Sequence, residues 1–133
     1  MENLQESDPN KIEKKKTIFC DIDGTLFEYR KFETYETSEA KILPDVRFKM
    51  AQWFDAGHMI ILTTARPEYL REHTEGELNK NQVKYSQLLM GIERGPRYLI
   101  NDVDPSVDEK RATAVNLKRN AGFQDIDWQS AGL

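Results

Sequence analysis

The chain has 133 residues, of which 32% are charged and 38% are hydrophobic, and its formal net charge is −4 from 19 basic and 23 acidic residues. This length favours one domain that can bury a core, and it leaves too few residues for a large additional cap domain. The composition is typical of a soluble globular protein without a membrane-spanning run, and the slight acidity disfavours a general nucleic-acid binder, which usually presents a basic face.

The N-terminal segment is almost entirely polar and ends in three consecutive lysines, Lys14 to Lys16. We interpret residues 1–16 as a disordered or frayed arm, with a basic docking patch as the alternative, and residues 17–133 as the single folded domain. We do not expect a polar start of this kind to be a signal peptide, and the single cysteine, Cys20, has no disulfide partner within the chain. Both observations favour a reducing, cytoplasmic location.

Strand-like and helix-like patterns alternate along the rest of the chain. Runs of β-branched, aromatic or continuously apolar residues predict strands at 17–22, 59–62, 97–100 and 112–117, with a weaker candidate at 83–90. Apolar residues at near-helical spacing predict a first helix that opens at Pro44 or Asp45 and ends at Gly57. A second helix is predicted from Pro67 to about Asn79. This alternation indicates βαβ units and therefore an α/β fold with a parallel sheet.

One connection fits this pattern badly. A crossover between parallel strands usually needs a dozen or more residues, and the segment from Gly91 to Pro96 is too short for a helical one. Either residues 85–90 do not form a regular sheet strand, or the return to residues 97–100 is irregular and crosses the end of the sheet.

Polar residues follow three of the predicted strands at their carboxyl ends. Asp21 and Asp23 lie at the end of the first strand, Thr63 to Arg66 follow the second, and Asn101-Asp102 follows a later one. Gly24 breaks the first strand directly after the acidic pair. Because ligands bind at the carboxyl ends of the strands in open α/β sheets, we expect these groups to converge on one site.

These residue types suit phosphoryl transfer. A phosphate monoester carries about two negative charges near neutral pH, and a Mg²⁺ ion held by carboxylates would neutralise them. Asp21 could then attack phosphorus and form an aspartyl-phosphate. Asp23 could protonate the leaving oxygen and later accept a proton from the hydrolytic water. A threonine hydroxyl and a basic side chain would hold the oxygens of the transferred group.

Three motifs make the chain similar to a known family. The segment from Asp21 to Leu26 (Asp-Ile-Asp-Gly-Thr-Leu) resembles the first motif of the haloacid dehalogenase superfamily, residues 60–66 resemble its second motif, and residues 98–102 resemble its fourth. The resemblance extends over roughly residues 17–120. It implies a Rossmann-like, three-layer α/β/α sandwich with a central parallel sheet, in which the first and fourth motifs lie on adjacent strands.

The resemblance also implies a role for each motif residue. Asp21 matches the nucleophile, and Asp23 matches the general acid/base. The metal ligands that it implies are Asp21, the backbone carbonyl of Asp23, and Asp102. Thr64 is the better match to the phosphate-binding threonine, Thr63 is the alternative, and Gly24 belongs with the phosphate-binding residues.

Two motifs depart from the family pattern. The third motif of the family supplies a lysine, often as Gly-Lys-Pro, whereas residues 91–96 of this chain read Gly-Ile-Glu-Arg-Gly-Pro. Arg94 could replace that lysine, or Lys84 or Lys80 could reach the phosphate, although arginine and lysine are not interchangeable. The fourth motif often reads Asp-Asp, and here it reads Asn101-Asp102.

The distances between the motifs leave room for a flap and a helix but for no cap domain. The chain therefore resembles the small capless members of the superfamily, whose open site suits a bulky substrate or one enclosed by a second subunit of a homo-oligomer. Relatives of this kind act on sugar phosphates or on nucleic-acid ends, and the weak acidity disfavours nucleic acid slightly. We expect a Mg²⁺-dependent phosphatase for a sugar phosphate or another phosphorylated metabolite, with no membrane partner.

Two other function classes stay open. A non-catalytic binding or regulatory module would keep the fold and the metal site, and the missing third-motif lysine is its best support. A receiver-like phosphoacceptor also combines acidic residues with Mg²⁺, but the Asp-x-Asp-Gly-Thr pattern argues against it.

Several residues near the motifs have a structural interpretation beside a functional one. Arg66 could form a surface salt bridge or contact phosphate, with no preference from the sequence. Cys20 is expected to lie in the core rather than to act as a nucleophile. The aromatic residues after the first motif are expected to fix the flap to the domain rather than to stack on a substrate. They are Phe27, Tyr29, Phe32 and Tyr35.

Overall fold

The structure, a computed structural model, describes residues 14–133. Most of the predicted N-terminal arm, residues 1–13, lies outside the described residues. The last part of that arm leads into the domain: Lys15 Nζ donates to the carbonyl of Ala56 at 2.7 Å, and the amide of Lys16 donates to Nδ1 of His58 at 3.0 Å. These bonds place residues 15 and 16 beside the start of the first strand.

A three-stranded parallel sheet forms the centre of the fold. Its strands are β1 (Thr17–Asp21), β2 (Met59–Thr63) and β3 (Gln87–Leu89), in the spatial order β1-β2-β3. The register pairs Asp21 with Thr63, and Thr63 with Leu89. The predicted α/β class and parallel sheet are confirmed, and the carboxyl ends of β1 and β2 lie side by side.

Three α-helices accompany the sheet: α1 (Val46–Asp55), α2 (Arg71–Lys80) and the short α3 (Trp128–Ala131). The first two match the predicted helices, although residues 68–70 form a 3₁₀ turn before α2. Helix α1 connects β1 to β2, and α2 connects β2 to β3. Because both crossovers run in the same direction across the sheet and such connections are right-handed, both helices lie on the same face of the sheet. That face carries the buried residues Cys20, Ile60, Leu62 and Leu88.

The opposite face of the sheet stays exposed, although a continuously apolar run such as residues 59–62 is typical of a strand that is buried on both faces. Phe19 is 53% exposed, Met59 45% and Leu89 51%. Both helical crossovers already lie on the other face, so within residues 14–133 the second helical layer implied by the family resemblance is not seen.

The predicted strands at 97–100 and 112–117 are not strands in the structure. Residues 92–118 have an irregular backbone, and Tyr98 and Ile100 are 87% and 92% exposed. The physical reason is the short connection: β3 ends at Leu89, and a parallel return from there needs a dozen or more residues. Neither of the two alternatives holds as stated: residues 87–89 of the weaker candidate form β3, and residues 97–100 form no strand at all.

The flap that follows β1 closes over one end of the sheet. Leu26 and Phe27 are fully buried, the amide of Glu28 donates to Lys41 at 2.8 Å, and the amide of Leu43 donates to Leu26 at 2.9 Å. Tyr35 is also buried. Burial of Phe27 and Tyr35 agrees with the expectation that aromatic residues fix this segment to the domain, whereas Tyr29 and Phe32 are 39% and 40% exposed.

The C-terminal residues complete the core through an aromatic cluster. The ring centroids of Trp53, Phe123 and Trp128 are 5.0 to 5.7 Å apart, and the indole of Trp128 donates to the carbonyl of Phe123 at 3.0 Å. This cluster ties α3 to α1. Among the described residues, no helix has the length and apolar character needed to cross a membrane.

Candidate active site

Asp21 is the last residue of β1 and presents its carboxylate at the carboxyl edge of the sheet. Thr25 Oγ1 donates to its Oδ2 at 3.1 Å, and within residues 14–133 the carboxylate makes no ion pair. Partial burial raises the pKa of Asp21 above its usual value, and the negative charge of Asp23 raises it further. The hydrogen bond from Thr25 and the more distant charge of Arg97 act in the opposite direction. Asp21 is therefore an accessible carboxylate without a fixed cationic partner.

Asp23, two residues later, is held in place by strong contacts. Arg66 donates from Nε to Oδ2 at 2.9 Å and from Nη2 to Oδ1 at 2.8 Å, and the Tyr35 hydroxyl donates to Oδ2 at 3.1 Å. A two-pronged guanidinium–carboxylate contact fixes the plane of the carboxylate as well as its position. Asp21 and Asp23 are therefore adjacent carboxylates with opposite environments.

Arg66 is the largest fully buried side chain of the described chain. Its third nitrogen, Nη1, donates to Thr74 Oγ1 at 3.0 Å and to Glu77 Oε1 at 2.7 Å. Although burial by itself lowers the pKa of a guanidinium, the hydrogen bonds and charges of Asp23 and Glu77 raise the pKa of Arg66 overall. Of the two interpretations from the sequence, the surface salt bridge is wrong, because the ion pairs that Arg66 forms are buried.

Glu77, on α2, joins this arginine to the flap. Arg30 Nη2 donates to both carboxylate oxygens of Glu77 at 2.9 Å, and Nε2 of His73 lies 3.2 Å from Oε2. Two arginines and two carboxylates thus alternate in one buried row: Asp23, Arg66, Glu77 and Arg30.

Tyr35 lies against both arginines of this row. The centre of its ring is 4.2 Å from the Arg66 guanidinium carbon and 5.2 Å from that of Arg30, distances typical of cation–π contacts. Burial, with the charge of Asp23, raises the pKa of Tyr35 to about 12. The hydroxyl therefore stays protonated at neutral pH and remains a donor to Asp23.

The two candidate threonines have different surroundings. Thr63 is opposite Asp21 in the register and is partly exposed. Thr64 is buried, and its hydroxyl accepts the amide hydrogen of Arg66 at 3.1 Å. Thr63 is therefore the threonine paired with Asp21 across the two strands, whereas Thr64 shapes the turn that carries Arg66.

Gly24 has a structural reason to be glycine. Its φ of +88° lies in the left-handed region, and its amide already donates to the carbonyl of Phe27 at 2.7 Å. Its carbonyl accepts from the amide of Asn120 at 2.9 Å. The structure thus shows Gly24 shaping the loop between the acidic pair and the flap.

The candidate basic residues do not lie together. Lys80 pairs with Glu39 at 2.9 Å, and Lys84 pairs with Asp55 at 3.4 Å. Arg94 is exposed, and its charge has a small lowering effect on the pKa of Tyr35. Of the three candidates, Arg94 is the one with electrostatic influence at the site.

Asp102 is not brought to the acidic pair. Its side chain is 80% exposed, and its nearest cation is Arg111 at 3.7 Å. Throughout the part of the chain that the structure describes, no three Asp, Glu, His or Cys side chains form a group that could hold a metal ion. The expectation that Asp21, Asp23 and Asp102 surround one Mg²⁺ is therefore not met by this arrangement, because the strand that should carry Asp102 to the sheet is not formed.

Sequence reasoning missed Arg30, Thr74 and Glu77. One available signal was the poor apolar content of the predicted second helix, which has Leu70 and Leu78 at helical spacing and little else. Thr74 lies midway between those two leucines on the same face, so a buried polar partner for that face was to be expected.

No protein-family model matches the chain, and no curated protein matches it. A chain in the structure of the Pnkp1/Rnl/Hen1 complex is 28% identical, with a TM-score of 0.52, over 62% of this chain and 30% of that chain. The structure of the Pnkp1/Rnl/Hen1 RNA repair complex gives the same identity and TM-score over 62% and 28%. A crystal structure of a Vibrio cholerae protein is 21% identical, with a TM-score of 0.47, over 68% and 85%. This chain spans less than a third of the chains from the complex.

Proposed function

We propose that this protein hydrolyses phosphate monoesters, with Asp21 as the nucleophile and Asp23 as the general acid/base. The observation that carries the proposal is the contrast between the two carboxylates: Asp21 is free of ion pairs within residues 14–133, and Asp23 is fixed by Arg66 and Tyr35. A nucleophile needs an accessible lone pair, whereas a proton-transfer group needs a defined orientation. The likeness to chains of an RNA repair complex supports phosphoryl chemistry in general.

The reaction has two steps. In the first, an Asp21 oxygen attacks phosphorus, the bond from phosphorus to the leaving oxygen breaks, and that oxygen takes a proton from Asp23. In the second, Asp23 takes a proton from a water molecule whose oxygen attacks phosphorus, and the bond to Asp21 breaks. Inorganic phosphate leaves, and both aspartates return to their starting states.

The requirement for Mg²⁺ stays a prediction from the family resemblance, and no step above depends on it. We expect a chelator to abolish phosphate release and added Mg²⁺ to restore it. Activity that survives exhaustive chelation would contradict this prediction without touching the role of Asp21.

Two substrate classes compete. The nucleophilic chemistry of a free carboxylate suits any phosphate monoester, and the acidic net charge favours a small phosphorylated metabolite such as a sugar phosphate over nucleic acid. The likeness to chains of an RNA repair complex favours a phosphorylated RNA end instead. Comparing kcat/KM for sugar phosphates with kcat/KM for short RNAs phosphorylated at either end decides between them.

The central experiment replaces Asp21 by Asn. The amide is nearly isosteric but a poor nucleophile, so we expect release of phosphate from p-nitrophenyl phosphate to be lost. Asp125→Asn, which makes the same change at an exposed position, should leave the rate unchanged. Mass spectrometry of quenched wild-type reactions should find the phosphate on the peptide that contains Asp21.

The alternatives give different results in the same assays. Binding of a phosphorylated ligand without release of phosphate from any substrate would support a non-catalytic module. A stable phospho-aspartate formed from acetyl phosphate would support a receiver-like phosphoacceptor. Normal turnover by Asp21→Asn would overturn the proposed mechanism.

A further inference from the structure

We propose that Glu77 is a positioning residue for Asp23, acting through Arg66, and that Oδ1 of Asp23 is the oxygen that carries the transferred proton. This inference rests on the proposed function. It concerns a residue of α2 that lies behind the site and that no sequence motif singles out.

The contacts form a continuous path from α2 to the reacting edge of the sheet. Glu77 Oε1 accepts from Arg66 Nη1 at 2.7 Å, and the other two nitrogens of Arg66, Nε and Nη2, donate to the carboxylate of Asp23. The side chain of Arg66 is fully buried, and those of Asp23 and Glu77 are each 11% exposed. Because water reaches this row so little, the orientation of Arg66 is set by its carboxylate partners.

Stability alone is a weak reason for such a row. Buried ion pairs recover little more than the cost of removing the charges from water, and hydrophobic residues of similar volume often serve a fold equally well. A guanidinium that is bound by a carboxylate on each side can fix the plane of the neighbouring carboxylate, which apolar residues cannot do. Here the plane that it fixes belongs to Asp23.

The hydrogen bonds distinguish the two oxygens of Asp23. Oδ2 accepts from Arg66 Nε and from the Tyr35 hydroxyl, whereas Oδ1 accepts from Arg66 Nη2. Each carboxylate oxygen has about two lone-pair directions, so Oδ2 is saturated and Oδ1 keeps one direction free. That free lone pair is where a proton can be held and delivered to a leaving oxygen.

Arg30 extends the path to the flap. Its Nη2 donates to both oxygens of Glu77, and its Nη1 donates to the carbonyl of Ser38 at 3.0 Å. The single carboxylate of Glu77 therefore binds both Arg30, which belongs to the flap, and Arg66, which binds Asp23. Loss of the Glu77 charge would loosen both at once.

The test uses leaving groups of different basicity. A poor leaving group such as an alkoxide needs a well-placed general acid, and p-nitrophenolate needs one far less. Because general acid catalysis contributes about 10²- to 10⁴-fold, we expect Glu77→Gln to lower kcat/KM, which reports the steps up to release of the leaving group, by about tenfold or more for an alkyl phosphate and much less for p-nitrophenyl phosphate. The matched control is Glu75→Gln, on the same helix and paired with Arg71 at 3.5 Å, which should change neither rate.

Equal losses for both substrates in folded Glu77→Gln, or no loss for either, would overturn the inference. Thr74→Val is a second variant for the case in which Glu77→Gln fails to fold, since it removes a neutral partner of Arg66 Nη1 and no charge. It should show the same selective loss to a smaller degree, and equal losses for both substrates would again overturn the inference. Asp21→Asn separates the two proposals, because its normal turnover contradicts the proposed function itself.

Discussion

Only Ile22 separates Asp21 from Asp23, yet the two carboxylates have different environments and suit different chemical roles. Burial raises the pKa of Asp21 and leaves it one hydroxyl partner, Thr25, whereas Asp23 receives three hydrogen bonds from Arg66 and Tyr35. Pairs of carboxylates with divergent surroundings are how enzymes assign two roles to one residue type. The roles that we propose for the two carboxylates follow from their different neighbours, which come from the loops after β1 and after β2.

The raised pKa of Asp21 has a consequence for stability. A carboxyl group with a higher pKa in the folded state binds protons more tightly there, so its contribution to stability is fully present below its unfolded pKa and is lost as pH rises through the folded pKa. We expect Asp21→Asn, which cannot ionise, to raise the free energy of unfolding at pH 7. The gain should shrink toward zero as pH falls to about 4, the unfolded value for aspartate.

Urea denaturation of wild type and Asp21→Asn between pH 4 and pH 8 measures this gain. Asp125→Asn controls for removal of one negative charge at an exposed site. A gain for Asp21→Asn that does not grow with pH would contradict the raised pKa.

Cys20 gives a second prediction at the scale of a residue. It is buried, and burial together with the charge of Asp21 raises the pKa of its thiol to about 12. Because the thiolate is the reactive form, we expect no reaction with a disulfide reagent at pH 8 in the folded protein and complete reaction after denaturation. Rapid labelling of the native protein would show that the thiol is accessible.

The residues at the site differ in how far the sequence predicts them. Asp21 and Asp23 stand at the end of an apolar run, and such a pattern is local and easily recognised. The roles of Arg66 and Glu77 depend on contacts across 43 and 11 positions of the chain, which no local pattern encodes. Motif position favours Thr64 as the phosphate-binding threonine, whereas the strand register, which the sequence does not reveal, pairs Thr63 with Asp21.

At the scale of elements, the C-terminal segment depends on one backbone position. Gly122 has a φ of +76°, and a Cβ built there would lie 2.6 Å from the carbonyl oxygen of Pro44. Gly122→Ala would therefore combine a left-handed backbone with a backbone clash, and we expect it to lower the free energy of unfolding by about 2 kcal/mol or more. The substitution should weaken the packing of Phe123 and Trp128 against α1.

Gly76 offers the matched control. It lies within α2, and a Cβ there would meet no atom within 4 Å. Gly76→Ala should raise the free energy of unfolding by about 0.5 to 1 kcal/mol, because alanine loses less backbone entropy in a helix. Tryptophan fluorescence during denaturation measures both variants, and destabilisation by Gly76→Ala would contradict the open surroundings of that position.

Local patterns predict some elements well and others badly. Strands β1 and β2 and helix α1 each have a strong periodic or apolar signal and a neighbour within reach along the chain. Residues 97–100 have an equally apolar signal, but a strand also needs a partner for its backbone groups. The connection after β3 is too short to bring residues 97–100 beside another parallel strand. This constraint comes from the topology of the fold and not from the local sequence.

At the scale of the whole molecule, apolar surface is unevenly distributed. The sheet face that carries Phe19, Met59 and Leu89 is open, and the segment 92–117 exposes a further set of apolar residues. The family resemblance implies a layer over that face, and within residues 14–133 none of the three helices supplies it. The fold is therefore an α/β sheet with one well-covered face and one open face.

The irregular segment should be the most protease-sensitive internal part of the domain. Trypsin cleaves a segment that can adapt to its active site, which exposed irregular backbone allows and helices resist. We expect early cleavage after Arg97 and Arg111 and later cleavage after Arg47 in α1, as measured by mass spectrometry of timed digests. Simultaneous cleavage at all three sites would contradict the structure of this segment.

The same digest tests the predicted role of Asp102, which lies between the two sensitive sites. If Mg²⁺ and a phosphate mimic draw Asp102 to Asp21 and Asp23, residues 97–102 must lie along the free edge of β1, and cleavage after Arg97 should slow while cleavage after Arg47 stays the same. Asp102→Asn would remove that protection because an amide is a much weaker Mg²⁺ ligand than a carboxylate. Unchanged cleavage with Mg²⁺ present would mean that Asp102 stays where the structure places it, beside Arg111.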